Sequence, residues 1–383
     1  MNGSSFGSIF QVSTWGESHG KALGVVVDGC PAGINLTEKD FESAMARRRP
    51  GQTKYVTPRA EQDQVEILSG VFEGRTTGTP ISLVIRNTSQ KSGDYSEIAH
   101  IYRPGHADYT FDAKYGFRDY RGGGRSSGRE TASRVAAGVV AGKFLEELGI
   151  ATTAYVKQIG PCECVNGVYS KDGTVSDEAE EKTRTGFVPS REMIEKSPLR
   201  MPDPDASARA EEYLSELMKQ GDSAGGIIEC IVTGVPAGVG DPVFGKLDAL
   251  LGHALFSIGA VKGVEIGAGF SVAGMNGSTD NDAFSSSGIK LTNNSGGILG
   301  GISDGDDIVI RAAFKPTPSI SKPQQTVTDK GEEITIEVRG RHDPVIVPRA
   351  VVVVESMVNL VLTDRLLVGM SAQMDRIKAF YKN

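Results

Sequence analysis

Three of the five histidines lie in short segments that combine glycine with charged residues. They are His19 in GESHG (Gly16–Gly20), His106 in RPGHAD (Arg103–Asp108) and His342 in RGRHDP (Arg339–Pro344). Glycine lets a ligand approach the backbone, arginine attracts anions, and an imidazole in such a loop can keep a pKa near neutrality. The pattern predicts proton transfer on an anionic substrate.

The segment RGGGRSSGRETASR, from Arg121 to Arg134, predicts an anion-binding loop in front of a helix. Consecutive glycines leave backbone N–H groups free to converge on an oxyanion, and the helix dipole favours negative charge there. Gly123 and Gly128 have the spacing of a Walker A loop, but Arg129 and Glu130 stand where lysine and serine or threonine are required. A dinucleotide-binding fingerprint is also missing from the sequence.

Two later segments add further donors for an anionic ligand. They are NNSGGILGG (Asn293–Gly301) and KPTPSISKP (Lys315–Pro323). The prolines stiffen the second segment, so its lysines and hydroxyl groups have little entropy left to lose on binding.

Composition restricts the classes of function. The chain has 383 residues, 39% of them hydrophobic and 23% charged, with 48 glycines, which is typical of a soluble globular protein with many loops. A net charge of −7 disfavours general nucleic-acid binding, whereas basic clusters at 47–59 and 103–134 favour a small polyanion. With four scattered cysteines and no secretory or membrane signal, we expect reduced thiols, no metal site, no membrane association and a cytoplasmic location.

The apolar pattern predicts an α+β layered protein, because strands and helices do not alternate as regular βαβ units. Strands are predicted at 23–27, 65–68, 81–85, 226–235, 308–314 and 334–338, and helices at 131–148, 206–219, 242–256 and 351–368. Gly138 and Gly142 predict close helix packing, and 162–190 is predicted to be irregular. The halves 1–150 and 226–383 each end in a long helix. We therefore expect one large domain, 1–383, with an internal repeat and a polar insertion-like segment at about 160–222.

Taken together, GESHG, RPGHADYTFDAKYGFRDYRGGGRSSGRET, KPTPS and RGRHDP resemble the chorismate synthase family over nearly the whole chain. The resemblance implies a β-α-β sandwich with a pseudo-repeated core, assembled as a homotetramer. It implies a lyase that removes phosphate and a ring hydrogen from 5-enolpyruvylshikimate 3-phosphate to give chorismate, the last shared step towards the aromatic amino acids. This anti-1,4-elimination has no net redox change and needs reduced FMN (FMNH2), which lends an electron and later recovers it.

The resemblance also implies roles for individual residues. His19 is expected to donate a proton at the departing phosphate, with Ser18 beside it. His106 is expected to protonate or stabilise the reduced flavin, and Asp343 to return the proton through the flavin's reactive nitrogen. Expected substrate-binding residues are Arg47, Arg48, Arg49 and Arg134, joined by Arg129 and Arg341. Expected flavin contacts are Arg125, Ser126, Ser127, Gly128, Arg129, Asn294, Gly297, Gly300, Lys315, Ser319 and Arg341.

Two positions depart from the family pattern. Gly128 stands where many relatives carry alanine, and His342 replaces the serine common before the aspartate. His342 is therefore left out of the expected catalytic set.

Two alternatives come from other classes of protein. A phosphate-binding kinase or NTPase would account for the Walker-like spacing at Gly123, and it requires nucleotide and magnesium. An RNA-binding protein would account for the basic loops, but the acidic total and the lack of an RNP-like aromatic motif disfavour it. Because no separate nicotinamide site is evident, we expect an external reductant for the flavin, and a built-in NAD(P)H-dependent reduction is the open alternative.

Overall fold

The computed structural model describes residues 3–53, 55, 62–87, 99–164, 188–286, 290–337 and 343–382. The strands in these residues are β1 (Ser5–Phe6), β2 (Gln11–Gly16), β3 (Ala22–Asp28), β4 (Val65–Ser69), β5 (Val71–Phe72), β6 (Arg75–Thr76), β7 (Ile81–Arg86), β8 (Ala151–Ile159), β9 (Cys162–Glu163), β10 (Gly226–Thr233), β11 (Val261–Ile266), β12 (Ile298–Leu299), β13 (Ile302–Ser303), β14 (Ile308–Phe314), β15 (Gln324–Val327) and β16 (Glu333–Ile336). The helices are α1 (Lys39–Arg48), α2 (Asp108–Tyr115), α3 (Thr131–Glu147), α4 (Arg191–Lys196), α5 (Pro204–Lys219), α6 (Leu247–Phe256), α7 (Gly277–Asp280), α8 (Val347–Gly369) and α9 (Met374–Tyr381).

Two five-stranded antiparallel sheets form the outer layers of the molecule. The first has the order β1-β2-β3-β7-β4 and the second the order β11-β14-β10-β8-β9. Helix α3 packs against strands of the first sheet, α8 packs against β8 and β10 of the second, and the two helices contact each other. The arrangement is a sandwich of sheet, helices and sheet, as expected for the α+β fold.

Residue type explains why α3 and α8 lie between the sheets. Helix α8 is apolar around most of its circumference, which is the pattern of a helix buried on all sides. Helix α3 carries small residues on the side that faces α8, and a Cβ added to Gly138 would overlap Ser356. The glycine lets the two helix backbones approach, so the predicted close packing at this position is confirmed.

Most predicted elements are present with shifted ends. Strand β14 and helix α3 match their predictions closely, whereas the helix predicted at 351–368, α8, begins at Val347 because Pro348 fits its first turn. The helix predicted at 242–256 begins only at Leu247, so that prediction was wrong for its first turn. Part of the predicted irregular stretch, 165–187, lies outside the described residues. The internal repeat stays a prediction. None of the helices described is long and apolar enough to cross a membrane.

Candidate active site

His19 lies on a tight turn directly after β2. The turn closes through the Gly20 N–H, which donates to the Glu17 carbonyl at 3.0 Å, and it contacts the glycine loop where the Ser18 N–H donates to the Gly124 carbonyl at 3.4 Å. Gly122 has φ +62°, and a Cβ built on it would overlap the His19 imidazole. Glycine at 122 therefore lets the loop lie directly against the His19 ring.

The glycine loop bends into two short 3-10 turns before α3. The Arg125 guanidinium donates to the Thr14 hydroxyl at 2.7 Å and the Gly16 carbonyl at 3.1 Å, which ties the loop to β2. Ser127 caps the second turn by accepting from the Arg129 N–H at 3.3 Å, while Ser126 donates to Gly123 at 2.8 Å.

Gly128 is exposed, and a Cβ added to it would meet open space. The alanine of many relatives would therefore fit here. The flavin contacts expected from Arg125, Ser126, Ser127 and Gly128 stay predictions.

A buried carboxylate joins two of the expected anion-binding arginines. Asp63, fully buried, pairs through one oxygen with Arg48 at 2.5 Å and through the other with Arg129. Burial opposes ionisation of Asp63, but the two guanidinium groups outweigh it and hold its pKa below the usual value. Burial, together with the nearby charges of Arg349 and Arg129, lowers the pKa of Arg48 to about 10. Asp63 and Arg48 are therefore both ionised at neutral pH.

Asp343 belongs to the same cluster of charges. Its carboxylate pairs with Arg349 at 2.5 Å, and the Nε of Arg349 donates to the Arg48 carbonyl at 3.1 Å. The start of α8, which carries Arg349, thus holds Asp343 beside the arginines of the α1 end.

Asn87 joins this cluster to the turn of His19. Its Oδ1 accepts from the Arg129 Nε at 3.0 Å, and its Nδ2 donates to the carbonyls of Glu17 at 3.2 Å and Gly20 at 2.8 Å. Together with the ion pairs of Asp63 and the two contacts of Arg349, Asn87 completes a continuous series of hydrogen-bonded residues from the His19 turn to Asp343.

His106 lies in a different environment, against the KPTPS segment. Its Nε2 is 2.9 Å from the Ser319 hydroxyl and its Nδ1 is 3.1 Å from the Pro104 carbonyl, while Lys315 donates to the Gly105 carbonyl at 2.7 Å. Burial lowers the pKa of His106 to about 4, and the charges of Arg103 and Lys315 also lower it.

The neutral state fixes the direction of the two His106 hydrogen bonds. A carbonyl oxygen only accepts, so Nδ1 carries the proton and donates to Pro104. Nε2 is then the acceptor, and the Ser319 hydroxyl donates to it. His106 therefore presents a basic nitrogen toward Ser319.

Residues 223–224 connect the two environments. The Ser223 hydroxyl donates to the Thr317 carbonyl at 2.7 Å, and the Ala224 N–H donates to the Pro344 carbonyl at 2.8 Å. The segment thus contacts both the KPTPS loop and the chain next to Asp343. These contacts and those of Asn87 connect three of the four motifs that carried the family resemblance: GESHG, the long motif that begins with RPGHAD, and KPTPS. Of the fourth motif, RGRHDP, only the last two residues are described.

Three of the expected substrate arginines lie apart from Asp63. Arg47 is buried between Glu355, at 2.5 Å, and Glu195, at 2.6 Å, so its three donor nitrogens serve internal ion pairs. Arg134 donates to the Ser257 hydroxyl at 2.6 Å and ties α3 to the end of α6. The side chain of Arg49 is exposed. Their roles in substrate binding stay predictions.

The glycine cluster at 293–301 lies at the other end of β14. A Cβ on Gly297 would contact the Asp307 carbonyl just before β14 begins, whereas Lys315 follows its last residue. Seven residues of strand at about 3.3 Å each separate these ends by about 23 Å. Asn294, Gly297 and Gly300 are therefore not brought next to Ser319 within one chain. Arg341 and His342 lie outside the described residues.

Sequence reasoning missed three residues that position the site, Asp63, Asn87 and Arg349, and it did not predict that Gly122 of the glycine loop contacts His19. Asn87 and Asp63 flank strands β7 and β4, and polar residues at strand ends were the signal that could have found them. Their partners come from distant parts of the chain, so the contacts themselves could not be read from spacing.

The site combines arginines shared by buried carboxylates, a histidine turn held to them, and a neutral histidine beside lysine and hydroxyl groups. This arrangement is typical of an enzyme that binds a small polyanion and moves protons on it.

Comparison with known proteins supports this class of enzyme. Residues 10–367 match the model of the chorismate synthase family. The chorismate synthases of Lachnoclostridium phytofermentans and Lachnospira eligens are 61% and 57% identical to this chain, with both chains covered in full. A crystal structure of chorismate synthase superposes with a TM-score of 0.73 at 33% identity, covering 98% of this chain and 97% of the other.

The chain belongs to the chorismate synthase family. The predicted fold class, family and enzyme class are thereby confirmed: it is a lyase of the shikimate pathway of aromatic amino acid biosynthesis, a class of enzyme that depends on reduced flavin. The kinase and RNA-binding alternatives lose their support.

Proposed function

We propose that this chain binds 5-enolpyruvylshikimate 3-phosphate at the arginines around Asp63 and converts it to chorismate by eliminating phosphate and a ring hydrogen. The observation that carries the proposal is the continuous series of hydrogen-bonded residues from the His19 turn through Asn87, Arg129, Asp63 and Arg48 to Arg349 and Asp343. It puts anion-binding groups between the two residues expected to handle protons.

Charge supports this choice of substrate. Among the described residues, three guanidinium groups, those of Arg48, Arg129 and Arg349, are gathered around two carboxylates, Asp63 and Asp343. Charges attract more strongly where water is excluded, and guanidinium groups match carboxylate and phosphate geometry. A substrate with two carboxylates and a phosphate matches this concentration of guanidinium groups.

His19 is the proposed proton donor to the leaving phosphate. Its turn contacts the glycine loop at Gly122, and a Cβ on that glycine would lie 3.0 Å from the Oγ of Ser18, so both side chains face the same loop. Glycine and serine N–H groups near this point offer further donors to a phosphate. Asp343 is the proposed proton acceptor at the other end of the network.

The surroundings of His106 fit reduced FMN. Lys315 supplies positive charge for an anionic group and Ser319 supplies a hydroxyl, while the nearby Arg103 guanidinium is paired with Asp108 at 2.8 Å. The Thr317 hydroxyl is buried and, among the described residues, has no hydrogen-bond partner, so it is available to a ligand. When bound, reduced FMN supplies the transient electron on which the family's elimination depends.

His106 is proposed to hold a proton at Nε2 during the reaction. In the free chain this nitrogen accepts a hydrogen bond from Ser319, and burial, helped by the charges of Arg103 and Lys315, keeps it unprotonated. An anionic ligand beside Arg103 and Lys315 would offset their charge and raise the pKa of His106. Ligand binding would thereby turn His106 from a base into a proton source.

A homotetramer is proposed to complete the flavin site. Asn294, Gly297 and Gly300 cannot reach the flavin at their own His106 if they remain at the far end of β14. Large apolar side chains at that end are exposed, Phe244 by 94% and Phe270 by 79%, as expected of a surface covered in an assembly. In a tetramer these residues could contact the flavin of a neighbouring subunit. We further propose a cytoplasmic location and an external flavin reductant.

Anaerobic turnover tests the proposal. We expect the purified chain to convert 5-enolpyruvylshikimate 3-phosphate to chorismate when photoreduced FMN is present, and FMN fluorescence to report tighter binding when substrate is added. Failure to form chorismate under these conditions would refute the proposed function. Turnover with oxidised FMN and NADPH alone would instead overturn only the external reductant.

A further inference from the structure

We propose that Asn87 is a positioning residue that couples substrate binding at Arg129 to the placement of the His19 turn. The inference deepens the proposed function and rests on it, because it uses the roles assigned there to Arg129 and His19. What suggests it is that a single amide forms hydrogen bonds both with Arg129 and with the backbone of the His19 turn.

Asn87 is itself held firmly. It follows the last residue of β7, and its N–H donates to the Lys21 carbonyl at 3.2 Å, one step beyond the Ala22 and Arg86 pair of the β3–β7 ladder. The sheet therefore fixes the backbone from which the amide reaches out. Because the backbone of Asn87 cannot move freely, a small displacement at one end of its side-chain amide is passed to the other end.

The amide uses its hydrogen-bonding capacity on two sides. Its Nδ2 donates to the Glu17 and Gly20 carbonyls, which begin and end the turn that carries Ser18 and His19. Its Oδ1 accepts from Arg129, whose guanidinium is also paired with Asp63. An amide can donate at one end and accept at the other, and neither a carboxylate nor an aliphatic side chain can do both.

This geometry gives the coupling a direction. An anion that draws the Arg129 guanidinium toward itself changes the hydrogen bond at Oδ1, and Asn87 passes that change to both ends of the His19 turn. Bound substrate would thus select the position of its own proton donor. Misplacement of a catalytic group by about 1 Å can cost about 100-fold in rate, so a small movement is sufficient.

Asn87→Asp removes the hydrogen bonds to the His19 turn and keeps the hydrogen bond from Arg129. The variant retains an acceptor for Arg129, but it points a second carboxylate oxygen at the Glu17 and Gly20 carbonyls, which have no proton to offer. Gln11→Glu is the matched control, because it makes the same amide-to-acid change at the opposite end of β2, where Gln11 donates to the Ser8 carbonyl at 3.0 Å.

We expect Asn87→Asp to lower kcat by about 10-fold or more while KM for the substrate changes by less than about threefold. Hydrogen exchange supplies a readout that a merely structural role would not change. In the wild-type enzyme, substrate should slow exchange of the amides at 16–21, and in Asn87→Asp this protection should be lost although substrate still binds. Gln11→Glu should retain both kcat and the protection.

Wild-type kcat in Asn87→Asp, or intact substrate protection of 16–21, would overturn the inference. A rise in KM with unchanged kcat would also overturn it, because Asn87 would then serve Arg129 alone. If Asn87→Asp does not fold, Asn87→Ser, which can donate to only one of the two carbonyls, takes its place with the same expected pattern. A wild-type enzyme without turnover would instead refute the proposed function.

Discussion

The two histidines of the site differ in the charges and hydrogen bonds that surround them. His19 lies on a turn that hydrogen bonds connect to three guanidinium groups and two carboxylates. His106 is half-buried beside cations, accepts from a hydroxyl, and has a pKa of about 4. One residue type thus receives different proton duties from its environment, as in other enzymes that run acid and base chemistry with like side chains.

Glycine has the same role in both regions. Gly122, at φ +62°, lets its loop lie against the His19 ring, and Gly105, at φ +71°, lies where a Cβ would come within 2.7 Å of Pro318. The difference between the histidines therefore comes from the charges and hydroxyl groups brought to them, and not from how closely the chain packs.

The largest effect should come from removing one proton-handling group from each region. We expect His106→Ala and Asp343→Ala each to lower turnover by about 100-fold or more, which is the scale of general acid–base contributions, while the chain still folds. Anaerobic chorismate formation measures the loss, and circular dichroism checks the fold. Turnover close to wild type in both variants would show that neither region handles protons.

Stability should separate the charged region from an ordinary surface ion pair. Asp63→Asn leaves Arg48 and Arg129 without their shared counter-charge, so we expect the free energy of unfolding to fall by about 3 kcal/mol. Glu66→Gln is the control, since it makes the same change in the exposed pair with Arg86 and should cost less than about 1 kcal/mol. Urea denaturation measures both. Equal losses would mean that Asp63 is not a buried ionic centre.

Two glycine substitutions in one loop sharpen the contact at His19. Gly122→Ala should lower kcat by about 10-fold because the added Cβ displaces the imidazole. Gly128→Ala has open space for its Cβ and should keep turnover within about twofold. Steady-state kinetics measures kcat for the two variants. An unchanged kcat in Gly122→Ala would place His19 away from the reacting phosphate.

The smallest effect is a pH dependence from His106. Its folded pKa of about 4 lies below the ordinary 6.5, so the unfolded chain binds the proton more readily. The contribution of neutral His106 to the free energy of unfolding is therefore fully present above pH 6.5 and is lost as the pH falls through that value toward 4. We expect an NMR titration midpoint near 4 for His106, and a flatter acid-side stability profile in His106→Gln. A midpoint near 6.5 would contradict the neutral environment.

The sequence predicted the parts of the site better than their assembly. Periodicity and turn residues predicted α3 and β14, and the family resemblance implied that RPGHAD and KPTPS both serve the flavin; the structure brings these two segments into contact through His106 and Ser319. The position of Asp63 at a strand end is only a weak signal, because a single aspartate before a strand is common. Its importance depends on Arg48 and Arg129, which come from two other elements.

Local chemistry, read from the chain alone, determined the elements, the anionic character of the ligand and the family, since propensity, charge and motif are properties of neighbouring residues. Tertiary structure decided which arginines share Asp63 and which, like Arg47, pair with internal carboxylates. It also decided that Asn87 lies between Arg129 and the His19 turn. The physical reason is that burial and pairing depend on groups far apart in the chain, so the pKa values and partners of these side chains exist only once the sheets and helices have packed.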